Sequence, residues 1–156
     1  MIIQKATLKD LPKILDLQKL CYQENAQRYN DFSIQPLQQT LNDLEREFED
    51  HIFLKMEIGL QIVGSIRANQ IKNECRIAKL MVHPEYQNRG YGTLLLKEIE
   101  NHFNNALRYE LFTGFKDEKN IYVYTKMGYK TYREESLHDN FKMIYMHKEN
   151  VLAESR

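Results

Sequence analysis

The sequence lacks several features on which whole classes of protein depend. It has no tryptophan, only three prolines and six glycines, and no excess charge, because 22 Lys and Arg residues balance 22 Asp and Glu residues. No basic tract is present that could follow a phosphate backbone, which argues against nucleic acid as a partner. No apolar run approaches the roughly 20 residues that a membrane helix needs. These absences predict a soluble globular protein that binds neither nucleic acid nor membranes.

Cysteine is also scarce. Cys21 and Cys75 form no metal-ligand spacing, and two cysteines make a poor disulfide framework. We therefore expect both thiols to be reduced and no metal to be bound. The first residues, MIIQKATLKDL, lack the apolar core of a secretory signal peptide, so a cytoplasmic location is expected.

The hydrophobic pattern and the turn signals predict a single α/β domain. A short strand, MIIQKA, precedes a helix that begins near residue 11 and a second helix, PLQQTLNDLEREFED. The segments HIFLKM, QIVGSIRANQI and CRIAKLMV have the composition and turns of an antiparallel meander. The pattern assigns residues 1–148 to the domain and leaves 149–156 as a C-terminal tail.

The second half of the chain alternates helices and strands. It contains a helix over about residues 91–105, the strand YELFTG, a short helix ending at Gly128, and the closing strands YKTYREE and FKMIYMH. The predicted order is β-α-α-β-β-β-α-β-α-β-β, a mixed and mostly antiparallel sheet flanked by about four helices. The polar segment from Tyr22 to Gln35 shows no clear period and predicts a mobile loop.

Two of the six glycines stand one residue apart in the segment HPEYQNRGYGTLLL, at Gly90 and Gly92. They lie where a predicted strand ends and a helix begins, and free N–H groups with the helix dipole make such a junction an anion site. A dinucleotide-binding fingerprint would need a third glycine, but that position is Leu95, and the loop follows a meander. The two glycines alone are equally compatible with a turn and close helix packing.

The residues around these glycines are more specific. Gln87-Asn88-Arg89-Gly90-Tyr91-Gly92 resembles the Q/R-x-x-G-x-G/A motif of GNAT-type N-acetyltransferases. In that family an apolar triplet precedes the motif, here Leu80-Met81-Val82. A Y-x-K-x-G-Y/F segment follows it after a helix and a strand, here YTKMGY beginning at Tyr124. The resemblance covers nearly the whole chain and implies the acyl-CoA N-acyltransferase fold.

The resemblance implies that acetyl-CoA is the cosubstrate. The backbone N–H groups of Asn88 to Thr93 would surround its pyrophosphate, and the strand before them would splay from its neighbour and pair with the pantetheine arm. The N–H of Met81 or Val82 would then hold the thioester carbonyl. The residues that the resemblance assigns to cofactor binding are Leu80, Met81, Val82, Gln87, Asn88, Arg89, Gly90, Tyr91, Gly92, Thr93 and Asn120.

Tyr124 is the residue to which the resemblance assigns catalysis, as a hydrogen-bond donor to the departing thiolate; a buried packing role is the alternative. The family often has an asparagine seven residues before this tyrosine, but here that residue is Asp117, which we expect to cap a helix. Asn120 lies four residues before Tyr124 and is the better candidate for a cofactor contact.

The acceptor implied by the resemblance is an amine, which must lose a proton before it attacks. Glu74 and Glu110 are candidate bases without a supporting motif, and His83 and His51 are expected at the surface. In the family the first two helices border the acceptor site. The acidic run in the second helix could therefore attract a cationic amine, although such a run is usually a solvated face. Its carboxylates are Asp43, Glu45, Glu47, Glu49 and Asp50.

The expected activity is therefore direct transfer of an acetyl group from acetyl-CoA to a primary amine, on a small molecule or a protein. The absence of a recognisable cysteine nucleophile is consistent with transfer without a covalent enzyme intermediate. The alternative is an acyl-CoA-binding sensor or structural module that does not turn over. The pattern leaves open the acyl group, the acceptor and the formation of a homodimer.

Overall fold

Seven strands form one continuous sheet in the computed structural model, which describes residues 1–139 and 141–154. The strands are β1 (Ile2–Lys5), β2 (Ile52–Ile58), β3 (Gln61–Ile71), β4 (Glu74–Val82), β5 (Arg108–Gly114), β6 (Lys130–His138) and β7 (Phe141–Glu149). The strand order across the sheet is β1-β2-β3-β4-β5-β7-β6, and all pairs are antiparallel except β4 with β5. The predicted fold class, with a mixed and mostly antiparallel sheet, is confirmed, as is the order of the seven strands along the chain relative to the main helices.

Helices cover both faces of the sheet. They are α1 (Leu11–Tyr29), α2 (Gln35–Gln38), α3 (Leu41–Phe48), α4 (Tyr91–His102), α5 (Glu118–Lys126) and α6 (Val151–Glu154). Because successive strand residues point to opposite faces, Leu80 packs in the larger core with α4, whereas its neighbour Met81 packs in the smaller core with α1 and α3. None of the helices in the described ranges has the length and apolar character required to cross a membrane.

Three predicted boundaries were wrong. The segment from Tyr22 to Tyr29 continues α1 instead of forming a loop, because Ala26 and Tyr29 are buried beneath polar residues. The predicted second helix is interrupted at Thr40, whose side chain accepts a hydrogen bond from the Asp43 N–H and caps α3 separately. Helix α4 ends at His102, three residues earlier than expected.

The central strands separate at the point where the family resemblance predicts it. β4 and β5 pair only from Glu74 with Arg108 to Arg76 with Glu110, and no further pairing joins them in the described residues. Beyond this point β4 contains a bulge, in which Lys79 has a left-handed backbone (φ 56°) and the pairing with β3 shifts by one residue. The result is a gap between the two strands that opens toward the end of β4.

A close contact holds the end of α1 at this gap. A Cβ on Gly114, the last residue of β5, would overlap the hydroxyl of Tyr29. That hydroxyl accepts a hydrogen bond from the Lys116 N–H at 2.8 Å. The last turn of α1 therefore lies over the open end of β5.

Candidate active site

A cavity of about 520 Å³ lies at the end of β4, between α1, the glycine loop and α5. We call it the first cavity. All of the residues predicted to bind the cofactor line it except Arg89: Leu80, Met81, Val82, Gln87, Asn88, Gly90, Tyr91, Gly92, Thr93 and Asn120. Arg89 instead packs over the ring of Tyr86, and its guanidinium donates a hydrogen bond to the Glu85 carbonyl at 3.4 Å.

The glycine loop presents a set of unused backbone donors to this cavity. Asn88 (φ 64°) and Gly90 (φ 81°) both have left-handed backbones, and α4 begins immediately afterwards at Tyr91. The first intrahelical donor is the Leu94 N–H, which bonds the Gly90 carbonyl at 3.2 Å. Within the described part of the chain, no N–H group from Asn88 to Thr93 donates a hydrogen bond. Together with the helix dipole, these groups form a site suited to an anion.

Gly92 is not explained by the packing of the protein itself. A Cβ added there would meet only the Leu80 side chain, at an ordinary contact distance of 3.8 Å. Its backbone is not in the left-handed region, so a side chain would fit without strain. The absence of a side chain instead leaves the first turn of α4 open to the first cavity, as a bound phosphate group would require.

Gln87 holds the end of β4 in place. Its amide nitrogen donates to the Val82 carbonyl at 3.1 Å, and its amide oxygen accepts from the Lys119 ammonium at 3.1 Å. The Cys21 thiol also lies 3.4 Å from the Val82 carbonyl. Since the next residue, His83, donates to β3 through its N–H, the peptide groups of Val82 face away from β3.

A second cavity, of about 420 Å³, lies on the other side of the gap between β4 and β5. Most of the residues that line it are apolar or aromatic: Tyr22, Tyr29, Ile34, Pro36, Ile77, Ala78, Leu80, Phe112, Tyr124, Leu137, Phe141 and Met143. Five residues line both cavities and mark their junction: Tyr22, Asn25, Leu80, Asp117 and Asn120. A molecule in the second cavity can therefore meet one held in the first.

Tyr124 lies in α5, is buried, and lines the second cavity. Burial is the main cause that raises the pKa of Tyr124 well above its ordinary value, and the negative charge of Asp117 raises it further. The hydroxyl therefore stays protonated at any physiological pH. It can serve as a hydrogen-bond donor but not as a base.

Asp117 is the N-cap residue of α5, as predicted, but its side chain makes no standard capping hydrogen bond. Its Oδ2 accepts hydrogen bonds from the Thr113 hydroxyl and the Asn120 amide, both at 3.1 Å, and Arg28 lies 3.9 Å from Oδ1. Burial raises the pKa of this carboxyl, although the hydrogen bonds and the Arg28 charge oppose that shift. A buried carboxylate of this kind, at a cavity junction, is suited to exchange protons.

The other candidate bases lie elsewhere. Glu74 and Glu110 both bond the Arg108 guanidinium, at 3.1 and 3.3 Å, where β4 and β5 are still paired. Neither glutamate lines the first or the second cavity, and the same is true of His51 and His83. Among the described residues, no cluster of His, Cys, Asp and Glu side chains could hold a metal ion.

The acidic run of α3 does not border the second cavity. Glu47 pairs with the buried Arg67, with 2.9 Å between Oε2 and Nε, and Asp50 lies 2.6 Å from the ring of His51. Asp43 accepts a hydrogen bond from the Thr40 N–H at 2.9 Å. These carboxylates stabilise the fold locally, and none of the run lines either cavity.

The fold has many relatives of known structure, which share little sequence with this chain. PaiA N-acetyltransferase from Thermoplasma acidophilum, in complex with coenzyme A, superposes with a TM-score of 0.78 at 20% identity, over 95% of this chain and 98% of that one. The ribosomal-protein-S18-alanine N-acetyltransferase from Escherichia coli gives 0.78 at 13% identity, over 95% and 92%. Aminoglycoside 6'-acetyltransferase type Ii gives 0.75 at 21% identity, over 96% and 97%.

The acceptors named for the second and third of these proteins, a ribosomal-protein alanine and an aminoglycoside, differ in chemistry, so the similarity of fold does not select an acceptor. No curated protein matches the chain by sequence. The model of the acetyltransferase (GNAT) family, however, matches residues 11–129, which include α1, the gap between β4 and β5, the glycine loop and Tyr124. The chain belongs to the acetyltransferase (GNAT) family.

Proposed function

We propose that the protein is an N-acetyltransferase that moves the acetyl group of acetyl-CoA directly to a primary amine. The observation that carries this proposal is the junction of the two cavities. The first cavity begins at an anion-binding helix terminus, and the second is apolar. They meet beside Asn120 and Asp117, which lie about one and two helical turns before Tyr124. A module that only bound acyl-CoA would not need the second cavity.

The residues of the first cavity fit coenzyme A. The N–H groups of Asn88 to Thr93 would donate to its pyrophosphate, and Gly92 would leave room for the phosphate oxygens. Each dipole or charge contact of this kind contributes about 0.3–1 kcal/mol when exposed, so several must converge to hold the molecule. Acetyl-CoA supplies the activated acetyl thioester, and the remaining chemistry depends on the side chains and peptide groups of this chain.

The gap between β4 and β5 offers a backbone donor for the thioester carbonyl. The peptide groups of Val82 face away from β3, whereas Met81 is paired with Ser65 of β3. This difference favours Val82 over Met81 as the donor. An N–H group already aimed at the carbonyl oxygen stabilises the negative charge that develops there during attack.

Tyr124 would stabilise the leaving thiolate. A phenol of pKa about 10 and a thiol of about 8.5 make full proton transfer uphill by roughly 2 kcal/mol in water. The raised pKa of Tyr124 makes that transfer less favourable still. The tyrosine therefore donates a hydrogen bond to the sulfur as it leaves and keeps its own proton.

Asp117 would receive the proton of the attacking amine. It lines both cavities, and burial raises the pKa of its carboxyl toward the range in which a base works at neutral pH. Removing the proton from an amine with a pKa of about 10.4 costs about 4–5 kcal/mol at neutral pH. A buried carboxylate beside the amine accepts this proton directly as the amine attacks, so the proton need not first be released to bulk water.

The proposal is tested by titrating the protein with acetyl-CoA and by measuring the release of CoA in the presence of primary amines, amino acids, polyamines and peptides. We expect tight binding of acetyl-CoA and CoA release that one acceptor class stimulates. Binding without stimulated release from any acceptor would contradict the proposal and favour an acyl-CoA sensor.

The Asp117→Asn variant tests the proposed base. We expect kcat/KM to fall by about 10- to 100-fold near pH 8, because a neutral amide cannot accept the proton. In the unmodified protein, kcat/KM should rise with pH as Asp117 ionises, through a pKa above the usual aspartate value. The variant should lose that part of the pH profile.

The Asp117→Asn substitution should leave the fold unchanged, because the family often has asparagine at this position and its side-chain oxygen can accept the hydrogen bond from Thr113. We therefore expect acetyl-CoA to bind the variant normally, as measured by calorimetry. A pH profile identical to that of the unmodified protein would show that Asp117 is not the base.

A further inference from the structure

The second cavity contains a lysine that nothing in the fold accounts for. Lys79 is the only Lys or Arg among the described residues that line this cavity. No hydrogen bond or ion pair joins its ammonium group to any residue in the described ranges. A cation within a mostly apolar cavity is costly unless an anion accompanies it.

The nearby carboxylates are already engaged. Glu47 pairs with Arg67 at 2.9 Å, and Asp117 bonds Thr113 and Asn120. Asp31, which also lines the second cavity, accepts hydrogen bonds from the N–H and the hydroxyl of Ser33 at 2.9 and 2.5 Å. None of the carboxylates in the described ranges lies within ion-pairing distance of the Lys79 ammonium.

The electrostatic surroundings lead to the same conclusion. Burial and, to a smaller extent, the Arg67 charge lower the pKa of Lys79 to about 8, and Glu47 opposes the shift only in part. The ammonium is still largely protonated at neutral pH. A bound anion would offset both the burial and the repulsion by Arg67.

The backbone at Lys79 is also unusual. Its φ of 56° lies in the left-handed region, which is strained for any residue other than glycine, and it forms the bulge of β4. Leu80 and Met81, which follow directly, line the first cavity. The bulge therefore places the unpaired Lys79 ammonium in the second cavity, while the next two residues of β4 line the first cavity.

We propose that the acceptor is a primary amine that also carries a carboxylate and an apolar side chain, as a free aliphatic or aromatic amino acid does. This inference rests on the proposed function. The carboxylate binds Lys79, the side chain lies against Ile77, Phe112 and Met143, and the amine reaches the junction at Asp117. The same lysine repels a second ammonium group placed where this carboxylate would bind, which disfavours polyamines at that position.

The first test compares an amino-acid acceptor with its amide, which lacks only the carboxylate charge, and with a polyamine. The panel contains phenylalanine, phenylalaninamide and spermidine, each with saturating acetyl-CoA. We expect kcat/KM for phenylalanine to exceed that for phenylalaninamide by about 10-fold or more, because the amide leaves Lys79 unpaired. The amine of the amide has the lower pKa and is intrinsically easier to deprotonate, so this order cannot arise from amine reactivity.

Two variants assign the preference to Lys79. Lys79→Met keeps the length of the side chain and removes its charge, so we expect a higher KM for phenylalanine and no preference over the amide. Lys79→Arg keeps the charge, and we expect it to retain a preference for the acid. Both variants should bind acetyl-CoA normally, because Lys79 does not line the first cavity.

A binding measurement separates this inference from the proposed function. N-acetylphenylalanine is titrated into the protein with CoA present, and N-acetylphenylalaninamide serves as the control. We expect the acid alone to bind, and to lose binding in Lys79→Met. Equal binding of the two compounds, or better turnover of the amide or spermidine, would overturn the assignment. If no acceptor stimulates the release of CoA, the proposed transferase activity is contradicted. The binding of the two N-acetyl compounds then decides by itself whether Lys79 binds a carboxylate.

Discussion

Replacing Gly92 with glutamate is expected to weaken acetyl-CoA binding by about 100-fold or more while the protein stays folded. The added carboxylate would enter the space reserved for the pyrophosphate. Two like charges about 4 Å apart repel by about 1 kcal/mol in water and about 4 kcal/mol near a protein surface. The fold should tolerate the change, because the new Cβ meets only the Leu80 side chain and a carboxylate is favourable in the first turn of a helix.

Calorimetric titration with acetyl-CoA measures the loss, and circular dichroism measures the fold. Asn101→Glu is the matched control: it adds the same charge to an exposed position near the other end of α4. We expect this control to bind acetyl-CoA within about 2-fold of the unmodified protein, since exposed charges more than about 10 Å apart are screened. A folded Gly92→Glu protein that titrates normally would refute the assignment of the first cavity.

Tyr124→Phe is expected to lower kcat by about 100-fold, with little change in the affinity for acetyl-CoA. The hydroxyl donates its hydrogen bond only as negative charge develops on the departing sulfur. Its loss therefore raises the activation barrier without weakening the complex with acetyl-CoA. Steady-state kinetics at saturating acetyl-CoA give kcat, and calorimetry gives the affinity.

Tyr129→Phe separates chemistry from packing. Tyr129 is also buried and lies 6.1 Å from Tyr124 between ring centres, but its hydroxyl bonds Glu100 at 2.7 Å and it lines neither cavity. We expect this variant to lose about 1–2 kcal/mol of unfolding free energy and to keep its kcat. If Tyr124→Phe also keeps its kcat, Tyr124 is a packing residue.

The part of the site that can be predicted from the sequence is the part built from neighbouring residues. The strand end at Val82, the turn, the paired glycines and the start of α4 follow one another within one short segment, so local rules indicate an anion site there, and the resemblance of residues 87–92 to the family motif distinguishes it from a packed turn. Tyr124 is more distant, and its assignment depended on a family resemblance. The structure places it in the second cavity, near the junction with the first.

The acceptor side could not be predicted in this way, because it forms where distant segments meet. Asp117 resembles a helix cap in sequence, and only the contacts with Thr113, Asn120 and Arg28 reveal a buried carboxylate between two cavities. The family resemblance carried a signal, since asparagine was expected there. Lys79 lies in a strand of ordinary alternation, and only the bulge and the absence of a partner identify it.

The helical errors have a related cause. Polar residues from Gln23 to Arg28 hide the period of α1, because only Ala26 and Tyr29 in that part of the helix are buried. The break at Thr40 depends on a capping bond that competes with continuation of the helix. In both places tertiary packing or a single hydrogen bond outweighs the average hydrophobic pattern.

A single-turnover experiment shows whether the acetyl group passes directly from acetyl-CoA to the amine. The protein is mixed with one equivalent of acetyl-CoA labelled in the acetyl group and with excess phenylalanine, and mass spectrometry follows the label. Direct transfer predicts one acetylated amine for each CoA released, with no label on the protein at any time. Label that appears first on the protein, or acetyl-CoA that stays bound and intact with phenylalanine and then with each other amine of the acceptor panel, would contradict direct transfer to an amine.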